Sequence, residues 1–236
     1  MKNRIKSLAK ELKADIIDVR RHLHQFPCLS FEEYETAQFI HALLDSWNIE
    51  HEFLTETGIV ATIKGINPEN KTIALRADID ALPIQERNEC QYKSTVDGVM
   101  HACGHDAHAA MLLGAAKILN QMKDEFEGTI KLVFQPGEEK LPGGASVMIE
   151  EGVLKDVDLI IAQHVYPDIP CGEVGFHPGE FMASCDEINI TIKGKGGHAA
   201  KINERSNTTV AAARILCAIS ELSSEFNKEE RKNPII

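Results

Sequence analysis

The chain has 236 residues, 43% hydrophobic and 26% charged, enough for one good core or for one domain and part of a second. With 25 Lys plus Arg against 36 Asp plus Glu, the formal net charge of -11 argues against nucleic acid as a partner, because phosphate contacts need a concentrated basic surface. The basic start Met1-Lys-Asn-Arg-Ile-Lys-Ser-Leu-Ala-Lys10 lacks the apolar stretch and cleavage site of a secretory signal, and no later segment has the apolar length that spans a bilayer, so a cytoplasmic protein with no membrane partner is expected.

Apolar residues at Ile5, Leu8, Leu12, Ile16, Val19 and Leu23 predict one amphipathic helix over 5–24, ended by Pro27. A second helix fits 31–48, with Phe39, Ile40, Leu43, Leu44 and Trp47 on its buried side, Ser30 as N-cap and Glu33 three residues on. The period then changes, and 51–55, 58–64 and 72–77 read as short strands bounded by Gly, Asn and Pro. A loop, a helix (105–122), a strand (129–134), a short helix (144–150) and a strand (159–162) follow. Further on, 187–193 reads as a strand and 207–225 as a helix. This alternation predicts an α/β fold, a mostly parallel sheet with flanking helices. The six cysteines (Cys28, Cys90, Cys103, Cys171, Cys185, Cys217) are scattered without a C-x-x-C pair, which fits reduced thiols.

In such sheets ligands bind beyond the carboxyl ends of the strands. Asp78 and Asp80 fall there after 72–77, Glu138 and Glu139 after 129–134, and His164 after 159–162. The stretch His101-Ala-Cys-Gly-His-Asp-Ala-His108 adds three imidazoles and a thiol at a helix start, the commonest transition-metal donors. Such a cluster can also be a satisfied polar turn; the strand-end placement favours metal, with Cys103 and His105 as ligands. His101 and His108 are read as neighbours, because one short loop cannot aim every side chain inward. Adjacent carboxylates are usually a solvated turn, and Glu32-Glu33, Glu150-Glu151 and Glu229-Glu230 are read that way. Glu138-Glu139 differs in following a strand and a Pro-Gly turn, where one carboxylate can ligate while the other takes a proton from water. Asp78 and Asp80 share one side of an extended chain, either as a polar loop start or as residues that orient a ligand.

Six motifs then occur in order: Arg20-Arg-His-Leu-His-Gln-Phe-Pro27, Leu75-Arg-Ala-Asp-Ile-Asp-Ala-Leu-Pro83, His101-Ala-Cys-Gly-His-Asp-Ala-His-Ala-Ala-Met111, Phe134-Gln-Pro-Gly-Glu-Glu139, Gln163-His-Val-Tyr-Pro167 and Gly194-Lys-Gly-Gly-His-Ala-Ala200. Together they resemble the M20 metallopeptidase family, in its amidohydrolase branch of N-acyl-amino-acid, hippurate and auxin-conjugate hydrolases. The resemblance implies a two-metal hydrolase acting on small N-acyl amino acids. Its zinc-exopeptidase-like catalytic domain would occupy 1–184, and 185–236 would begin an inserted α+β lid and dimerisation domain through which a homodimer forms. By the motifs, Cys103, His105, Glu139 and His164 would be metal ligands and Glu138 the general base. His198 would stabilise the oxyanion in a neighbouring subunit's site. The ions would be two divalent metals, manganese or zinc first, with cobalt or nickel also accommodated.

The chain departs from the pattern at Lys201-Ile-Asn-Glu-Arg-Ser-Asn207, which concerns the lid's substrate contacts, and at Cys28, where an acidic residue is common. It stops at Pro234-Ile-Ile236, inside the inserted domain and before the family's last metal-binding His, so a fragment of a longer protein with poor activity by itself is expected. The alternatives are a catalytically incompetent metal-binding or dimerising remnant, and a dipeptidase-like specificity. The reading frame beyond Ile236 distinguishes enzyme from remnant.

Overall fold

The computed structural model describes residues 1–179, 188–198, 200 and 206–228, the side chains of 225–228 excepted. The first helical stretch is two helices, α1 (Lys2–Glu11) and α2 (Lys13–Gln25), where the apolar period predicted one. α1 buries no residue of its own, whereas Leu12 at the junction packs with Ile118 and Met122, so the chain turns where that leucine is drawn inward. α3 (Tyr34–Ser46) starts later than expected and without a side-chain cap. Ser30 does not cap it, because its hydroxyl is used on Asp80. Asn48, at a φ of 52°, ends the helix as a left-handed residue, and the Ile49 amide returns to Leu44 O at 3.0 Å.

Strands β1 (Glu50–Phe53) and β2 (Ile59–Lys64) form a hairpin, then come β3 (Thr72–Asp78), α4 (His105–Gln121), β4 (Thr129–Gln135), α5 (Gly144–Glu150) and β5 (Leu159–Ala162). The sheet order is β1-β2-β4-β3-β5. β4, β3 and β5 are mutually parallel, while β2 runs antiparallel to β4 and β1 antiparallel to β2. The α/β class holds, with its parallel part confined to three strands; the short β1–β2 connection cannot make the crossover that a parallel pair requires.

Alternation along the strands divides the core between the two faces of the sheet. Ile59, Ala61 and Ile63 of β2 and Leu132 and Phe134 of β4 join Leu23, Ile40, Leu44 and Leu113 from α2, α3 and α4. Val60 and Val133, one residue out of phase, pack with Met148 of α5 and Val153. Full burial of each large side chain contributes about 1.5–3 kcal/mol. β5 is an edge strand whose Leu159, Ile160 and Ile161 stay about half exposed. Because β3, β4 and β5 run the same way, the segments that leave their carboxyl ends emerge along one side of the sheet.

The chain divides into two compact units, Met1–Asp168 and Ile169–Ile236. The expected boundary at 184/185 lies outside the described residues, as do Cys185 and most of the altered stretch 201–207. The strand expected at 187–193 is not found over its described residues 188–193, and no neighbouring strand pairs with them among the described residues. The regular element here among the described residues is α6 (Thr208–Lys228), which leaves Leu216, Ile219 and Leu222 exposed. No helix among the described residues is long and apolar enough to cross a membrane. The five described cysteines are free thiols.

Gly144, the first residue of α5, donates its amide to Gly137 O at 2.8 Å, and a Cβ there would stand 1.7 Å from the Pro136 carbonyl oxygen. Backbone cannot give way as a flexible side chain can, so Gly144→Ala is expected to destabilise the protein by roughly 2 kcal/mol or more. Urea unfolding checks this; an unchanged midpoint would mean that the turn yields freely.

Candidate metal centre

Gly104 caps α4 with a φ of 101°, and a Cβ there would lie 2.5 Å from Val165 Cγ2. Only glycine lets this turn press against the segment after β5, which sets Cys103 and His105 on either side of it. His105 is fully buried; its Nδ1 donates to Asp80 O at 2.9 Å and lies 3.1 Å from Asp80 Oδ1. Nε2, 3.7 Å from Asp78 Oδ2, is thereby left facing Glu139 Oε1 at 3.8 Å. His105 Nε2 and Glu139 Oε1 are both buried and lack a hydrogen-bond partner among the described residues.

His164 Nδ1 donates to Val165 O at 2.6 Å, which leaves Nε2 facing Cys103 Sγ at 3.4 Å. Donor atoms of Cys103, His105 and His164 lie within 4.8 Å of one another, as do those of His105, Glu138 and Glu139. Asp78 Oδ1 accepts from His108 Nδ1 at 2.6 Å and Oδ2 from Arg76 Nη1 at 2.7 Å, so both its oxygens are engaged.

His108 corrects the expectation that the loop points it aside. It is buried, its ring centroid 4.4 Å from that of His164, because the first turn of α4 lies over the end of β3. Its nitrogens are both occupied, by Asp78 and by the Val165 amide at 2.9 Å. His101 is buried as well, and neither ring nitrogen has a partner among the described residues. His198 is exposed and belongs to the second unit; its Nδ1 accepts the Ala200 amide at 3.2 Å.

Further residues support this cluster, some of them in roles that a single sequence does not disclose. Asp80 Oδ2 accepts from Ser30 Oγ at 2.7 Å and from the Glu139 amide at 2.9 Å, so one carboxylate joins three segments to His105. Glu33, expected on a solvated turn with Glu32, is instead 0% exposed. It accepts from the Phe31 and Gly137 amides at 2.8 Å each and from Thr57 Oγ1 at 2.7 Å, bonds that compensate its burial and anchor the turn bearing Glu138 and Glu139. Asp106 in the first turn of α4 is held by Arg20 Nε at 2.7 Å and His24 Nδ1 at 2.8 Å, and His24 Nε2 reaches Glu86 at 3.2 Å. The motif Arg20-Arg-His-Leu-His24 thus serves as the brace of that helix start.

Burial would raise Asp78, but the His108 hydrogen bond and the Arg76 charge outweigh it and bring the carboxyl down to about 2. Burial is likewise outweighed at Asp80, which is lowered by its bonds from His105, the Glu139 amide and Ser30. At His105 desolvation is overcome by Asp80 and Asp78, and its pKa rises. Burial, then the hydrogen bond and charge of Glu139, push the Cys103 thiol up to about 12. Glu138, the exposed member, is raised by partial desolvation and then by Glu139. The cluster thus gathers these groups around two buried atoms, His105 Nε2 and Glu139 Oε1, that have no hydrogen-bond partner among the described residues. Thiol, imidazole and carboxylate donors in this state fit divalent transition-metal ions, whose charge would also ionise the thiol.

A family model described as peptidase family M20/M25/M40 matches residues 74–234. Over 226 residues the chain is 42% identical to the N-acyl-L-amino acid amidohydrolase of Geobacillus stearothermophilus, covering 95% of this chain and 61% of that one. Over 229 residues it is 42% identical to the N-acetylcysteine deacetylase of Bacillus subtilis strain 168, covering 96% and 60%. The crystal structure of the Bacillus subtilis YXEP protein, described as a dinuclear metal binding peptidase from the M20 family, matches with a TM-score of 0.65 at 45% identity, over 68% of this chain and 45% of that one. The chain spans about three-fifths of the length of these two curated relatives.

Burial depresses His101 from 6.5 to about 4 in the folded protein. Between those values the unfolded chain takes up a proton that the folded chain refuses. Stability from this residue is complete above about pH 6.5 and falls by about 3 kcal/mol as the pH drops to 4. His24 and His105 are raised and work in the opposite direction, so the test is a difference between proteins. Urea unfolding of the metal-free protein at pH 7 and pH 4.5 should show wild type losing more stability on acidification than His101→Gln, by about 2–3 kcal/mol. Equal losses would show that His101 is hydrated or protonated in the folded state.

Proposed function

The chain belongs to peptidase family M20/M25/M40, and from that membership we propose that the protein is a metal-dependent amidohydrolase. It would cleave the amide bond of N-acyl amino acids to a carboxylic acid and a free amino acid. The observation that carries this reading is the pair of buried, unpartnered atoms His105 Nε2 and Glu139 Oε1, 3.8 Å apart, beside the Cys103–His164 pair. The amidohydrolase and deacetylase relatives support the substrate class.

Cys103, His105, Glu139 and His164 would hold two divalent ions, manganese or zinc first, with cobalt or nickel as alternatives. Bound ions would acidify a water molecule and polarise the scissile carbonyl. Glu138 accepts the water's proton as the oxygen attacks the carbonyl carbon, and its raised pKa brings it closer to the neutral range where a general base works best. It then delivers that proton to the amide nitrogen as the C–N bond breaks. Asp80 keeps His105 in the tautomer that presents Nε2, and Asp78 locks His108 beside it. His198, with Nδ1 accepting from the Ala200 amide, has Nε2–H to offer the oxyanion of a neighbouring subunit's substrate. In this reading 1–184 is the catalytic domain and 185–236 begins the lid and dimerisation domain, where the exposed Leu216, Ile219 and Leu222 of α6 provide apolar surface for a homodimer.

Glu138→Gln in the complete gene product is expected to keep its metal content by elemental analysis. Its turnover on a panel of N-acetyl, N-benzoyl and indole-acyl amino acids should fall by about 10²-fold or more. A variant as active as wild type would remove Glu138 from the mechanism. Hydrolysis of dipeptides with none of the panel cleaved would replace the substrate assignment.

A further inference from the structure

Within α3, His41 and Asp45, one helical turn apart, meet His51 of β1. None of the three belongs to the proposed metal centre. His51 Nδ1 lies 2.8 Å from Ile49 O and must donate to it, so a neutral His51 carries a bare lone pair on Nε2. That Nε2 faces His41 Nδ1 at 2.6 Å, so His41 Nδ1 carries the proton between them. A neutral His41 then has a bare Nε2 facing Asp45 Oδ2 at 3.4 Å, while Asp45 Oδ1 lies 3.8 Å from His51 Nε2. Three electron-pair donors converge with a single proton among them. A cation resolves the conflict.

We propose that His41, Asp45 and His51 form a site for a zinc-type divalent ion that fastens the last turns of α3 to β1, an outer strand of the sheet. Each residue offers one ligand atom, all within 4.8 Å of one another. With the ion in place of the proton on His41 Nδ1, that atom and His51 Nε2 are the ligand nitrogens and His41 takes the tautomer whose Nε2–H faces Asp45. Zinc–nitrogen bonds of about 2.0–2.1 Å in tetrahedral geometry place two ligand nitrogens roughly 3.3 Å apart, so the imidazoles need to separate by less than about 1 Å. His41 can do this, being partly exposed on a helix surface, while the His51 side chain is held by the backbone and almost wholly buried. Two imidazoles and a carboxylate suit zinc, nickel or copper better than magnesium or calcium, and a water would complete the tetrahedron. The ion would stabilise the folded chain by mass action, because the donors are brought together only on folding.

The test is equilibrium dialysis against micromolar zinc chloride followed by elemental analysis, on wild type, His41→Ala and Asp45→Asn. Wild type is expected to retain one equivalent more than either variant. Zinc should raise the melting temperature of wild type by several degrees more than that of the variants. Because these residues take no part in the proposed hydrolysis, turnover of the variants should match wild type, so the result stands or falls independently of the proposed activity. Equal zinc content in wild type and both variants overturns the proposal. Zinc retained only at millimolar concentration also overturns it, as adventitious surface binding. Asp45→Asn, on an exposed helix position, keeps the test decisive if His41→Ala fails to fold.

Discussion

The Asp80 carboxylate is the junction on which the arrangement depends. It sits just beyond β3 and receives Ser30 from the segment before α3, His105 from the start of α4 and the Glu139 amide from the turn after β4. Hydrogen bonds to a charged group are worth about 1.5–3 kcal/mol each, and a buried carboxylate stripped of them would cost more than it returned. Glu33 does the same at the far side of the β4 turn, gathering the Phe31 and Gly137 amides and the Thr57 hydroxyl. Between them, two buried carboxylates hold a loop region whose backbone could not otherwise satisfy its polar groups.

The charge pattern follows from the same packing. Carboxylates with donors, Asp78 and Asp80, are held ionised, whereas Cys103 and Glu138, partly desolvated and then close to other carboxylates, resist ionisation. Backbone carbonyls decide the imidazole tautomers. His105 Nδ1 is held by Asp80 O and His164 Nδ1 by Val165 O, and in both rings Nε2 is the nitrogen turned toward the cluster. His51 repeats the device at the edge of the sheet, with Ile49 O as the holding group. A nitrogen presented this way is a lone pair in a fixed direction.

Much of this was legible in the sequence because it depends on local period and on strand ends. The change of period and the turn residues located β1 through β5, and the parallel run of β3, β4 and β5 carries Asp80, Glu139 and His164 to one side of the sheet. What was not legible depends on contacts distant in the chain. Nothing near Leu12 announces a helix junction, since its cause is a seat between Ile118 and Met122. Ser30 has the composition of an N-cap, yet Asp80 competes for its hydroxyl and wins. Glu33 reads like every other adjacent carboxylate pair until three donors from separate segments close around it. The β1–β2 hairpin likewise escaped a reading based on alternation of strands and helices, because direction is a property of pairing and not of composition.

Adjacent residues of one type are hardest to tell apart by sequence, and Glu138 and Glu139 show what separates them physically. Glu139 is tied by its amide to Asp80, and its Oε1 is buried without a partner near His105 Nε2, so its position is set and its lone pair unspent. Glu138 projects from the same turn toward solvent, with a raised pKa and no hydrogen bond that fixes its carboxylate among the described residues. A ligand must be held still and must stay ionised; a proton carrier must reach two places and change charge at modest cost. Single-bond rotation at Glu138 is compatible with taking a proton at one point and releasing it at another, whereas the same freedom at Glu139 would loosen the cluster. The proposed division of labour between two chemically identical side chains thus rests on which one the Asp80 junction restrains.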